Sequence, residues 1–145
     1  MSWKDLKTKA QMEVERAAGH ENVIRQIKAE ITAIEAQVVA ELELLCNKLE
    51  EWSGMEASVQ AKPALARVTL SDNFWGMEVA TDGLSFVFST NDHSEQIVFN
   101  RQPRCSYWEI NNSRHLRLDV MAHFHSFIDS FVAMLRQKGM LRYLA

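Results

Sequence analysis

The sequence predicts an α+β fold, with a long N-terminal helical arm, an antiparallel meander of five or six strands and a C-terminal helix packed on one sheet face. Three observations lead to this prediction. Apolar residues recur at helical spacing up to residue 53, at alternating spacing between residues 64 and 118, and at helical spacing again after Asp119. With 145 residues, of which 47% are hydrophobic, the arm (1–53) and the body (64–145) are expected to form one structural unit.

The N-terminal arm is predicted to contain two helical segments. Residues 2–18 show a thin apolar edge among lysines and glutamates, and Gly19, His20 and Asn22 then interrupt the pattern. We expect a bend or short break here, with Asn22 capping the next helix, although a continuous helix through Gly19 would cost only about 1 kcal/mol. The second segment is expected to end at Gly54, because glycine adopts the left-handed C-cap conformation easily.

The second helical segment carries an apolar seam. Its members are spaced mainly three or four residues apart and share one edge of the helix: Ile24, Ile27, Ile31, Ile34, Val38, Leu42, Leu45 and Leu49. A helix over residues 24–52 is about 43 Å long, whereas five- or six-residue strands span only about 17–20 Å, so we expect the body to leave much of the seam uncovered. The seam therefore predicts a homo-oligomer, with a dimer as the favoured order.

The body is predicted to begin after a linker, residues 54–63, and to bury one face of its sheet. Turns are expected at Asp82-Gly83 and Asn111-Asn112. Residues 114–118 alternate, which favours a strand over the alternative of an early start to the last helix. The predicted core face comprises Trp75, Met77, Val79, Leu84, Phe86, Phe88, Ile97, Phe99, Trp108, Ile110, Leu116 and Leu118, and the buried stripe of the last helix comprises Val120, Phe124, Phe127, Phe131 and Leu135.

The opposite sheet face is predicted to be polar and to hold any binding site. Four arginines flank the fifth predicted strand and can converge on an anion, because guanidinium groups bind phosphate and carboxylate in bidentate fashion. A tyrosine and a histidine on the same face can stack on a base or ring. The candidate ligand- or partner-binding residues are Arg101, Arg104, Tyr107, Glu109, Arg114, His115 and Arg117. The alternative is that these arginines are solvated and protect the sheet edge against pairing.

Residue patterns for catalysis or metal binding are weak throughout the sequence. His123 and His125 are two residues apart on a predicted helix, so their side chains point roughly 200° apart and cannot hold one ion. Cys46 and Cys105 match neither a disulfide framework nor metal-ligand spacing and are expected to be reduced. We therefore expect no catalytic residue, no metal and no cofactor.

Charge and hydropathy narrow the class of partner. Residues 1–52 contain 7 basic and 10 acidic groups and residues 96–145 contain 7 basic and 3 acidic groups, an asymmetry too mild to favour general nucleic-acid binding. No apolar run approaches the roughly 20 residues of a membrane span, and we expect a cytoplasmic protein without membrane contact.

The preferred function is a non-enzymatic oligomeric protein-interaction module, such as an adaptor, a chaperone-like factor or an inhibitor encoded by a phage or mobile element. The alternative is a binding module for a small anionic ligand such as a nucleotide.

Overall fold

A computed structural model of the chain describes residue 3 and residues 6–91, 96–101, 107–115 and 119–144. The elements are α1 (Lys9–Ser53), β1 (Ala57–Lys62), β2 (Leu65–Leu70), β3 (Asn73–Val79), β4 (Ser85–Thr90), β5 (Gln96–Arg101), β6 (Trp108–Ile110), β7 (Ser113–His115) and α2 (Val120–Gln137). This arrangement confirms the predicted α+β class. The sheet, however, has seven strands rather than five or six, and all neighbouring strands are antiparallel and consecutive in the chain.

Helix α1 is a single helix of 45 residues, so the predicted break at Gly19 is wrong. The helix also begins at Lys9 rather than near residue 2. Thr8 caps it, because the Thr8 hydroxyl accepts a hydrogen bond from the Gln11 backbone N–H and the Gln11 side chain accepts one from the Thr8 N–H. One glycine in a helix interior costs only about 1 kcal/mol, which is too little to end the helix at Gly19. The predicted C-cap is confirmed, since Gly54 is left-handed with φ 69°.

The predicted linker over residues 54–63 contains a strand that sequence reasoning missed. Strand β1 pairs with β2 over six residues, and Pro63-Ala64 forms the turn between them. Ala64 occupies the left-handed region with φ 67°. The alternation in β1 is real but faint, because its inner positions are mostly alanine and its outer positions are small or polar.

Both helices cover the same face of the sheet. Phe124 of α2 meets Trp75 of β3 edge to face, with ring centroids 5.1 Å apart. The buried side chains of α1 belong to the same core and pack mainly over β1 and β2. The five residues predicted for the buried stripe of α2 are all buried. The sequence pattern predicted that α2 covers this face. It did not predict that α1 lies on the same face.

Strand pairing decides which side chains share a face. Every described residue of the predicted core face is buried or packed against the core, while Leu116 and Leu118 lie outside the described residues. His115 was predicted to lie on the polar face of the sheet, and this prediction is wrong. Because Asn111 and Asn112 form a two-residue turn with positive φ values, Ile110 pairs with Ser113 and Trp108 pairs with His115, which puts His115 on the core side.

Candidate interaction surfaces

Arg101, the first residue of the predicted anion site, faces α1. It pairs with Trp108 across β5 and β6, and therefore lies on the core side of the sheet. Its Nη1 is 3.5 Å from Glu30 Oε2 of α1, and its guanidinium carbon is 5.7 Å from the centre of the Trp108 ring. The buried Nε has no hydrogen-bond partner among the described residues. Arg101 thus connects α1 to the sheet and does not point to the open side.

Tyr107, Glu109 and Arg114 do come together, on the sheet face that neither helix covers, which we call the open face. The Arg114 guanidinium carbon lies 5.2 Å from the centre of the Tyr107 ring, and Glu109 is the cross-strand partner of Arg114. Arg104 and Arg117 lie outside the described residues. The described members of the predicted site are therefore divided between two faces, with Arg101 on the core side and Arg114 on the open face.

A second arginine–aromatic pair on the open face was not predicted. The Arg67 guanidinium carbon is 4.3 Å from the centre of the Phe74 ring. Gly76 lies opposite Arg67, and a Cβ at this position would be 3.5 Å from Arg67 Nε. A glycine beside an arginine on neighbouring strands is the only sequence signal for this packing, and it becomes visible only once the register is known.

Several shallow grooves are lined by the described residues, and two of them lie beside these surfaces. One, of about 390 Å³, lies on the open face and is lined by residues that include Glu78, Ser85, Val87 and Val98. The other, also of about 390 Å³, lies between Lys28 and Glu35 of α1 and the turns around Pro63 and Thr81. The described residues contain no group of three or more His, Cys, Asp or Glu side chains that could hold a metal ion.

Most of the apolar seam of α1 is buried within its own chain. The most deeply buried members, each at most 2% exposed, are Ile27, Ile31, Val38, Leu42 and Leu49. Ile24, Ile34 and Leu45 are partly buried. The expectation that the body cannot cover the seam is therefore wrong, because α1 lies on the sheet itself. The segment after α2 also reaches the C-terminal end of α1: the Tyr143 N–H donates a hydrogen bond of 2.8 Å to the Trp52 carbonyl oxygen. Apart from Ile24, the seam residues belong to the core of the folded chain or pack against it.

The first turns of α1 have the opposite character. Every residue from 9 to 22 is exposed. From here on, the arm means this segment alone and not the whole of the predicted range 1–53. Val14 is 69% exposed and Met12 is 39% exposed. A salt bridge of 2.6 Å from Lys7 to Glu15 lies along the surface and is itself about half exposed, so it contributes little to stability.

Comparisons of the chain with protein-family models, curated proteins and solved structures find no match. The surfaces of the molecule itself are therefore the basis for an inference about function.

Cys46 is a free, buried cysteine of α1. Burial raises the pKa of its thiol, and the nearby Glu50 carboxylate raises it further by its charge and by a hydrogen bond of 3.9 Å from Sγ to Oε1. A protonated, buried thiol is a poor nucleophile, which makes Cys46 a packing residue. Cys105 lies outside the described residues.

The two histidines of α2 lie as their spacing predicts. The His123 ring contacts Phe99 at 5.8 Å between centroids, at the border of the core, whereas His125 is exposed. Neither helix in the described part of the chain combines the length and apolar character that crossing a membrane requires.

The sheet has two edge strands, and they differ. Strand β7 has only three residues, whereas β1 has six and pairs on one side alone. The arm and the β1 edge are thus two surfaces of this molecule that lack a partner within the described part of the chain.

Proposed function

We propose that the protein is a non-enzymatic protein-interaction module that works as a homo-oligomer and presents the arm of α1 to a partner protein. The observation that carries this proposal is the exposure of every residue from 9 to 22. Helical segments of this length are marginal in water without tertiary contacts. A binding role explains why a helix extends so far beyond the body that stabilises the rest of it.

The chemistry of the arm fits a helix that docks into a groove. Ala10, Val14 and Ala17 are four and three residues apart and share one edge, which continues towards Ile24 at the border of the buried seam. Glu13 borders this edge and Glu21 lies on it, seven residues after Val14, whereas Glu15 is paired with Lys7. The partner groove is therefore expected to be apolar, narrow enough for alanine-sized contacts, and basic at its rim.

Self-association is supported by the unpaired edge of β1. A six-residue strand that pairs with β2 alone among the described strands offers backbone donors and acceptors to another strand. The buried seam does not support it, because its side chains are already packed in the core of their own chain.

The arm is tested with two matched variants as baits in the native host. Val14→Glu places a charge on the arm, and Leu44→Glu places the same charge on α1 outside the arm, at a side chain that is also well exposed, at 62% compared with 69% for Val14. We expect a partner protein that binds the wild type and the Leu44 variant but not the Val14 variant. Identical sets of bound proteins for all three baits would contradict a role for the arm.

The small-anion alternative has weaker support, because Arg101 faces α1 rather than the open face. A thermal-shift screen with nucleotides and inorganic phosphate separates the two functions, since a ligand at about a hundred times its dissociation constant adds roughly 2.7 kcal/mol of stability. We expect no shift. A shift that Arg114→Ala removes would favour the anion-binding alternative instead.

A further inference from the structure

The free edge of β1 has a defined set of unpaired backbone groups. The two-residue turn Pro63-Ala64 makes Lys62 and Leu65 a hydrogen-bonded pair, so the backbone N–H and C=O of Ser58, Gln60 and Lys62 point towards β2. Those of Ala57, Val59 and Ala61 point away from the sheet. The backbone hydrogen bonds that the described residues form outside helices and strand ladders include none to these three residues.

The β1 edge also lacks the usual protection against pairing. Its register with β2 is continuous over six residues, without a bulge or an internal proline, and its only charged residue is Lys62 at the end. The opposite edge of the sheet is different, because β7 is three residues long and carries Arg114 in its middle. Of the two edges, β1 is therefore the one suited to strand addition.

We propose that β1 pairs antiparallel with β1 of a second copy of this chain, across a two-fold axis at Val59. The inference rests on the proposed homo-oligomer and identifies its interface. In this register Val59 lies opposite its own counterpart and Ala57 lies opposite Ala61 of the other copy. All three outward-facing backbone positions then exchange N–H and C=O groups with another outward-facing position, as an antiparallel ladder requires.

Charge complementarity selects the same register. With Val59 on the axis, Glu56 lies opposite Lys62 of the other copy, and the two-fold symmetry makes this pair twice. A shift of two residues in one direction puts Ala57 opposite Pro63, which has no N–H to donate. A shift in the other direction puts Lys62 opposite Gly54 and removes the charge pair. Of these three registers, only the one with Val59 on the axis pairs all the outward-facing backbone groups and also forms the Glu56–Lys62 charge pair.

The pairing has a consequence for the arms. Lys28 of α1 lies against Gly83, at the end of the sheet that also contains the Pro63-Ala64 turn, and α1 continues beyond this end as the arm. The two-fold axis reverses the direction of β1 in the second copy. The two arms therefore leave the joined sheet at opposite ends, and the dimer presents two separate docking helices.

A charge-swap series tests the register. Glu56→Lys and Lys62→Glu each place like charges opposite one another at two symmetric sites, and each is expected to raise the dimer dissociation constant about tenfold or more. The double variant E56K/K62E restores the opposite charges and is expected to return to within about threefold of the wild type. Glu21→Lys in the arm is the control for net charge and should leave the constant unchanged. Analytical ultracentrifugation at low salt provides the constants.

Single cysteines locate the axis independently. In a Cys105→Ser background, only a residue on the axis meets its own counterpart at the Cα separation of about 5.5 Å that a disulfide can span. Val59→Cys is therefore expected to form a covalent dimer much faster than Ser58→Cys or Gln60→Cys. Faster cross-linking at residue 58 or 60, or charge variants that leave a dimer unaffected, would overturn the β1 interface while self-association through another surface remained. A monomeric wild type would overturn the homo-oligomer as well.

Discussion

Asn73 at the start of β3 and Lys138 at the end of α2 are joined by a hydrogen bond of 2.7 Å from Lys138 Nζ to Asn73 Oδ1. Asn73 is only 5% exposed, and its amide also contacts Asn91, the Leu70 carbonyl oxygen and the Met140 sulfur. One buried amide therefore ties the C-terminal end of α2 to the turn between β2 and β3 and to the end of β4.

Replacing Asn73 with alanine is expected to destabilise the fold by about 1–3 kcal/mol, because it removes the hydrogen bonds that this buried amide forms with Leu70, Asn91 and Lys138. Asn47→Ala on the exposed side of α1 is the control and should change stability by no more than about 0.5 kcal/mol. Urea unfolding followed by circular dichroism measures both. Equal stabilities for the two variants would show that the Asn73 contacts make no net contribution to the free energy of unfolding.

The burial of the α1 seam predicts a large difference between two leucines of the same helix. Leu42 is fully buried and Leu44 is 62% exposed. Leu42→Ala should lower the free energy of unfolding by about 2–5 kcal/mol through lost burial and a new cavity, whereas Leu44→Ala should change it by no more than about 0.5 kcal/mol. Chemical denaturation of both variants tests this. If Leu42→Ala lowered the molecular mass without lowering stability, the seam would be an interface between chains after all.

Gly19 within α1 and Gly54 at its C-cap should respond to alanine in opposite directions. Gly19 has open space around it, so Gly19→Ala should stabilise the arm by up to about 1 kcal/mol. Gly54 has φ 69°, and an added Cβ would lie 2.9 Å from the Tyr143 ring, so Gly54→Ala should cost about 1–2 kcal/mol.

Hydrogen exchange separates the two glycine effects. Gly19→Ala should slow exchange in residues 9–22 and leave the melting temperature of the body unchanged, because the arm opens locally without unfolding the core. Gly54→Ala should lower that melting temperature. A change in melting temperature with Gly19→Ala would mean that the arm is packed against something in the isolated protein.

The sequence predicted those parts of the fold in which the buried positions carry large apolar side chains and the exposed positions carry polar ones. The stripe of α2 and the core faces of β3 to β5 were predicted, because large aromatic and aliphatic side chains mark them. Strand β1 was missed because alanine, serine and glutamine give little contrast between its two faces. The break at Gly19 was predicted wrongly because local propensity is a small term beside the continuity of a long helix.

The candidate site was less predictable than the fold, because it depends on register. One two-residue turn at Asn111-Asn112 fixes whether His115 faces the core or the open side, and the contact of Arg101 with Glu30 joins residues far apart in the sequence. Burial of the seam depended in the same way on a long-range contact, the packing of α1 on β1 and β2. Neither the strand register nor the packing of α1 on the sheet can be read from the spacing of residues along the chain.

The most direct test of the proposed homo-oligomer is the mass of the purified 145-residue chain, measured by light scattering at concentrations up to roughly tens of micromolar. We expect a mass of twice the 16.7 kDa of one chain, shifting towards the monomer on dilution. A mass of 16.7 kDa at every concentration would contradict the proposal.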